Sequence, residues 1–306
     1  ITGSGNLSLG NGFTLTTNAF TDTTLSSVVQ GSGNLAKSGT GTLTMNGSNT
    51  YTGITTINAG TIQIGHANAL GTTANITFSG GGLQYGTGIT QDLSGRIKNS
   101  NSAILVDTNG NNVTFASVLD STNSGGLTKN GTGTLTLNAT NAYTGTTTIN
   151  AGTLQIGAGG ASGSLSTSSA ITNNGNIVFN RTDTVTQGTD FANSITGSGN
   201  ITQSGSGTLV LGTNTYSGAT TVNAIKNKSL FGSSACATST RMSIPSTLAR
   251  RRSSGTIASI FLARRADGRM RRSSARPAIT TCKLPSARSR STRWSIGAPL
   301  MRASSG

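Results

Sequence analysis

The single histidine, His66, has neither a cysteine nor a pair of carboxylates near it in the sequence. A zinc or transition-metal centre needs several such ligands converging, so His66 is expected to be an ordinary surface residue. A Ser-His-Asp relay would rest on the same ring, and no Gly-x-Ser-x-Gly elbow accompanies it. The string Asp107-Thr-Asn-Gly-Asn-Asn112 begins like a calcium loop, with oxygens at Asp107, Asn109 and Asn111. Such a loop wants Gly sixth and Glu twelfth. Here Gly110 stands fourth and Val118 twelfth, so a turn is expected. The Gly-x-Gly elements at 39–41, 131–133 and 205–207 lack a third glycine and precede strand-like text, which argues against phosphate binding.

Three tyrosines, Tyr51, Tyr143 and Tyr216, recur at one position of a repeated string. Sugar-stacking rings are conceivable there, but packing over the turn of a neighbouring repeat is the simpler expectation. Enzymes that cleave acidic polysaccharides cluster Asp, Lys and Arg on one face. In residues 1–223 the bases are Lys37, Arg96, Lys98, Lys129 and Arg181, and the acids Asp22, Asp92, Asp107, Asp120, Asp183 and Asp190. They are scattered, so this reading is weak. No catalytic, cofactor-binding or metal residue is assigned, no cofactor is expected, and the chain is expected not to be an enzyme.

The formal charge of +15 belongs almost wholly to residues 224–306, which also hold both cysteines, all four prolines and the one tryptophan. Their basic clusters could release counterions from nucleic acid. Aromatic residues for base stacking are sparse and no recognition motif appears, so no specific nucleic acid is expected. No apolar run is long enough for a membrane-spanning helix. No leader resembling a signal peptide is seen at Ile1.

The elements around these residues are short. In 131–157, GTGTLTLNATNAYTGTTTINAGTLQIG, apolar residues alternate with Thr through Thr134–Leu137, Thr146–Asn150 and Thr153–Ile156. That is the period of half-buried strands, punctuated by Gly and Asn where tight bends fall. Residues 39–65 repeat the string, and 205–224 begin it again and break off. Strands this short must stack on copies of themselves.

A propeller would need evenly spaced blades, yet the interval from Leu35 to Leu127 is clearly longer than that from Leu127 to Ile201. An antiparallel sandwich would use the Asn-Gly pairs 46–47, 130–131 and 174–175 as hairpins. Its core would want more aromatic residues than the 4% present. A parallel β-helix, with a slim aliphatic core and outer ladders of Thr and Asn about 4.8 Å apart, fits best. At about 25 residues per coil, residues 1–223 would make about nine coils.

The pattern L-x-K-x-G-x-G-T-L-x-L-x-x-x-N-x-Y-x-G-x-T-x-I-x-A-G-T-L-x-I resembles the passenger-associated repeat of bacterial autotransporters. Residues 35–64 and 127–156 match it nearly throughout; 201–224 match with Gln203 in place of Lys and one residue missing before Tyr216. The resemblance implies an all-β, right-handed parallel β-helical passenger over residues 1–224, exported through an outer-membrane barrel that is missing from this chain. It also implies display at the bacterial cell surface, or secretion, as a non-enzymatic stalk or adhesin. Partners would then be host or neighbouring-cell glycans or proteins, or further copies. A polysaccharide-cleaving β-helix and a nucleic-acid-binding protein with a basic tail are the alternatives.

Residues 225–306 are expected to be a separate basic, low-complexity and disordered tail, or an out-of-frame reading of the gene. In the first two copies Asn-Ala is followed by Gly60-Thr61 and Gly152-Thr153, whereas Asn223-Ala224 runs into Ile225-Lys226. Glycine, frequent up to that point, becomes sparse beyond it as Arg and Pro enter. Domain boundaries seldom cut a strand pair in this way. Adding or removing one nucleotide near codon 225 should restore Gly-Thr-Leu and further repeats. If neither shifted frame does so, the tail is genuine.

Overall fold

The computed structural model describes residues 5–191 and 194–223, together with the short strands Met242–Ile244, Ser259–Ile260 and Trp294–Ser295. The disorder expected of residues 225–306 therefore concerns a stretch that lies, these strands apart, outside the described residues. Residues 5–223 form a parallel β-solenoid of about 10 turns with no α-helix. Leu43 pairs with Ile62 one coil on, and Ile177 pairs with Ile201. Coils are thus shorter than the repeat alone suggested, because the corners are tight bends.

Nine strands stack into the longest sheet: Thr23–Leu25, Thr42–Met45, Thr61–Ile64, Gly82–Tyr85, Ile104–Asp107, Leu127–Asn130, Thr147–Ile149, Ile171–Asn173 and Ile195–Thr196. Beside its first coils lies a four-stranded sheet, Thr14–Asn18, Asn34–Ser38, Thr55–Ile57 and Ile76–Phe78. Beside its later coils lies a second long sheet from Asn112–Phe115 through Thr134–Leu137, Thr153–Ile156, Asn176–Phe179 and Asn200–Gln203 to Thr220–Val222. Thr184–Thr186 and Thr208–Val210 pair on a further face. Every one of these pairings is parallel; Met242–Ile244 alone joins the last strand antiparallel. Asn46-Gly47 and Asn130-Gly131 are accordingly corners between sheets and not hairpins.

The three copies of the repeat do not lie above one another. In the first copy the strand holding Lys37 is in the four-stranded sheet and the next strand in the nine-stranded one. In the second copy the equivalent strands, around Lys129 and Leu135, fall in the nine-stranded and the second long sheet. In the third, Gln203 lies in the second long sheet and Leu209 on the further face. Each copy is therefore turned by one face relative to the last. The first copy is separated from the second by four coils plus one face, and the second from the third by three coils plus one face.

Alternation determines the core. Leu43, Ile62, Leu83 and Val106 stack in register inside the nine-stranded sheet, and Val113, Leu135, Leu154, Ile177 and Ile201 inside the next. All are 2% exposed or less. Phe179 and Phe191 add a tilted ring contact with centroids 5.0 Å apart. Backbones approach so closely at the bends that Gly145 has no room for a methyl group: a Cβ there would lie 2.3 Å from the Gly126 nitrogen.

The alternation in Thr134-Leu135-Thr136-Leu137 predicts that Thr136 faces solvent. Thr136 does sit on the outer side of its strand, yet it is only 8% exposed, flanked in register by Thr114 and Gln155. Thr114, one strand away, is the exposed position. Leu135→Asp should therefore cost on the order of 3 kcal/mol or more by placing a carboxylate in the core, while Thr114→Asp should cost less than about 0.5 kcal/mol. Urea midpoints measure the difference, and equal midpoints would mean that the strand register is inverted.

Candidate functional surface

The charged residues are the natural starting point for any chemistry, and the fold consumes nearly all of them. Lys37 and Lys129 occupy inward-pointing positions of their strands and are 0% exposed. The Lys129 ammonium donates to the carbonyls of Asn130 at 2.7 Å, Gly131 at 2.7 Å and Ala151 at 3.3 Å. Lys37 does the same to Ser38, Gly39 and Ala59 at 2.9, 2.8 and 3.2 Å. Gly152, with φ +67°, closes over the Lys129 nitrogen, where a Cβ would lie 2.9 Å from Nζ. Burial lowers the proton affinity of both lysines, Lys129 to about 8, with Asp107 opposing the shift. In the third copy Gln203 takes the slot and donates to the Gly205 and Gly207 carbonyls, both at 3.0 Å. Its Oε1 is left buried without a partner.

The arginines act alike. Arg96 donates to the carbonyls of Ala74, Gly71 and Leu70, and Arg181 to those of Gly163 and Ala161. Arg181 also pairs with Asp183, and Lys98 with Asp120, each at 2.5 Å. Asp92 accepts from Ser94 and the Ala116 amide, and Asp22 from the Thr42 amide. Burial lowers the proton affinity of Arg96, while its hydrogen bond with Arg181 holds Asp183 below the usual carboxylate range.

The asparagine and tyrosine of the repeat are also internal. Asn49 accepts from the Val29 amide in the coil before it and donates to the Ala69 carbonyl in the coil after it, at 2.7 and 2.6 Å. Asn141 bridges Leu119 and Ser164 in the same way. The hydroxyls of Tyr51, Tyr143 and Tyr216 pair with Thr55, Thr147 and Thr220 at 2.7, 2.6 and 2.5 Å. Their rings are at most 5% exposed, which removes them as sugar platforms. Burial raises all three phenols, Tyr51 to about 12.

The remaining sequence candidates are turn formers. The His66 ring accepts from the Asn68 amide at 3.0 Å. In the 107–112 turn Asp107 accepts from Gln84 and from the Asn109 amide, Asn109 donates to the Tyr85 carbonyl, and Asn111 to Gly86 and Thr108. These side chains are committed to backbone and a neighbouring amide and do not converge on a common centre. Among the described residues no group of three His, Cys, Asp or Glu could hold a metal ion, and no helix is long and apolar enough to cross a membrane.

What faces outward is almost neutral. On the nine-stranded sheet Thr44, Gln63, Gln84 and Asp107 form a hydrogen-bonded ladder with steps of 3.1, 2.6 and 2.8 Å. Asn150 and Asn130 continue it at 2.8 Å. Thr128, Thr148, Thr172 and Thr196 stand in register alongside.

The buried lysine was visible in the sequence only as a repeated residue; its carbonyl partner on the next coil was not. Lys129→Met should cost on the order of 3 kcal/mol, since three carbonyls lose a charged donor, and Lys129→Gln about half as much. Thermal or urea unfolding of the two variants checks this order. Equal losses would mean that the methylene stem of Lys129, and not its ammonium, is what matters.

Comparison with known proteins agrees with this architecture. The model of the passenger-associated-transport-repeat family matches residues 35–64, 127–156 and 201–224. Over 234 residues the chain is 41% identical to the adhesin BmaC autotransporter of Brucella suis biovar 1 (strain 1330). That alignment takes in 61% of this chain and 7% of the relative, so the chain spans a small part of the curated protein it resembles. No solved structure matches. Three passenger-associated-transport repeats thus wind along one parallel solenoid in residues 5–223, which in this respect is similar to a stretch of autotransporter passenger.

Proposed function

We propose that the chain is a segment of a non-enzymatic, surface-displayed adhesin, in which the solenoid is both the spacer and the adhesive body. The carrying observation is that every lysine and arginine among the described residues of the solenoid is spent on a backbone carbonyl or a neighbouring aspartate. A polysaccharide-cleaving site needs a free base and cations facing its substrate, and none is left over there. The outer faces offer instead neutral hydroxyl and amide ladders, which suit host or neighbouring-cell glycans, proteins or further copies of the chain. The adhesin relative supports the same reading, as it does placement at the bacterial surface. Adhesion through such faces depends little on salt, because few charges are screened.

The full chain, immobilised on beads, should capture epithelial cells or other coated beads, and capture should persist at high salt, where the charge of residues 224–306 is screened. Incubation with polygalacturonate or alginate should release no unsaturated uronate ends. Appearance of those ends, or loss of all capture at high salt, would overturn the reading.

A further inference from the structure

Between Ile156 and Ile171 the solenoid makes an excursion, the connecting segment 157–170, that contains no strand. This excursion and the turn after Thr186 enclose a cleft of about 310 Å³ whose walls include Thr140, Ser164, Thr167, Arg181 and Asp190. That volume lies at the lower end of small-ligand sites, room for one or two sugar rings.

At the other corners the lysines, Arg96 and the repeat asparagines are turned inward and paired. Here the hydroxyls of Thr140, Ser164 and Thr167 make no internal hydrogen bond. Asp190 uses Oδ2 to accept from the Thr186 amide at 2.7 Å and leaves Oδ1 unclaimed. The cation on the wall cannot attract an anion: the Arg181 guanidinium is spent on the Gly163 and Ala161 carbonyls and on Asp183. Hydroxyls that both donate and accept, one carboxylate oxygen that only accepts, and no free positive charge select a ligand rich in hydroxyl donors and without a carboxylate or sulfate of its own.

We infer that this cleft is a binding subsite for a neutral hexose unit of a glycan, with Asp190 Oδ1 accepting from a sugar hydroxyl and the Thr140, Ser164 and Thr167 hydroxyls completing the contacts. The inference rests on the adhesive reading given above and supplies its ligand class. Without an aromatic platform the single site is weak, in the millimolar range, and it gains strength only through many displayed copies.

Saturation-transfer difference NMR on the full chain, with methyl galactoside, methyl glucoside and methyl N-acetylglucosaminide as probes and glucuronate as the acidic comparison, tests it. At least one neutral probe should give a signal that glucuronate does not. Ala142→Trp fills the cleft from an exposed position and should reduce that signal at least tenfold with an unchanged urea midpoint. Asp190→Asn, which keeps an acceptor for the Thr186 amide, should weaken it several-fold. No signal from any neutral probe, or a signal that Ala142→Trp leaves intact, overturns the subsite. Bead capture separates this from the broader reading: if beads still adhere when the probes do not bind, the subsite falls and the adhesive solenoid stands. If the probes bind and beads fail, the reverse holds.

Discussion

Each short coil must turn several tight corners, and each corner leaves carbonyls that no strand above or below can reach. An unpaired carbonyl in a narrow interior costs about as much as a lost hydrogen bond, so the solenoid is viable only if donors are brought to those corners. Lys37, Lys129, Arg96 and Arg181 are such donors, and each serves at least two carbonyls. Asn49 and Asn141 serve where one amide can bridge the coils on either side, and Asn123 ties its corner to the Ser100 amide and the Ile97 carbonyl of the coil before it. The low charge of the fold follows from the same constraint. Like charges one coil apart would repel at about 4.8 Å. The buried lysines avoid this by lying four coils apart, with neutral Gln203 in the slot three coils further on.

The strand-level architecture was legible in the sequence because its signal is local. Thr134-Leu135-Thr136-Leu137 states which side faces inward without any knowledge of its neighbours, and the unequal spacing of Leu35, Leu127 and Ile201 already ruled out blades. The corner chemistry was not legible, because its partners lie one coil away and coil length varies along the rod, as the pairs Leu43–Ile62 and Ile177–Ile201 show. Ala151 as an acceptor for Lys129, or Leu70 for Arg96, cannot be found without that register. The burial of Thr136 escaped for a related reason: period two fixes the side a residue points to, but the residues on adjacent coils decide how much solvent it meets. The cleft beside Asp190 arises where the repeat lapses, in Gly157–Ala170, and such a lapse carries no pattern to read.

These features separate stability from recognition in an unusual way. In most binding proteins charged side chains contribute to both. Here the cations are tied to backbone carbonyls or aspartates, and under the proposed function recognition would fall to hydroxyls and amides on the outer ladders. Such surfaces bind weakly per site, and strength comes from repetition along a rod. A solenoid that ties up its cations also presents little free positive charge to be screened outside.

The rotation of successive repeats by one face has a further consequence. Residues at equivalent motif positions, such as Thr44, Thr136 and Val210, look out from three different sides of the rod. A flat target laid along the solenoid therefore cannot touch the same motif residue in each copy. Its avidity must come from the continuous ladders within one sheet, whereas the repeat itself winds around like the stripe on a barber's pole. The motif thus serves the internal closure of each corner, while the positions between copies present different residues on every side of the solenoid.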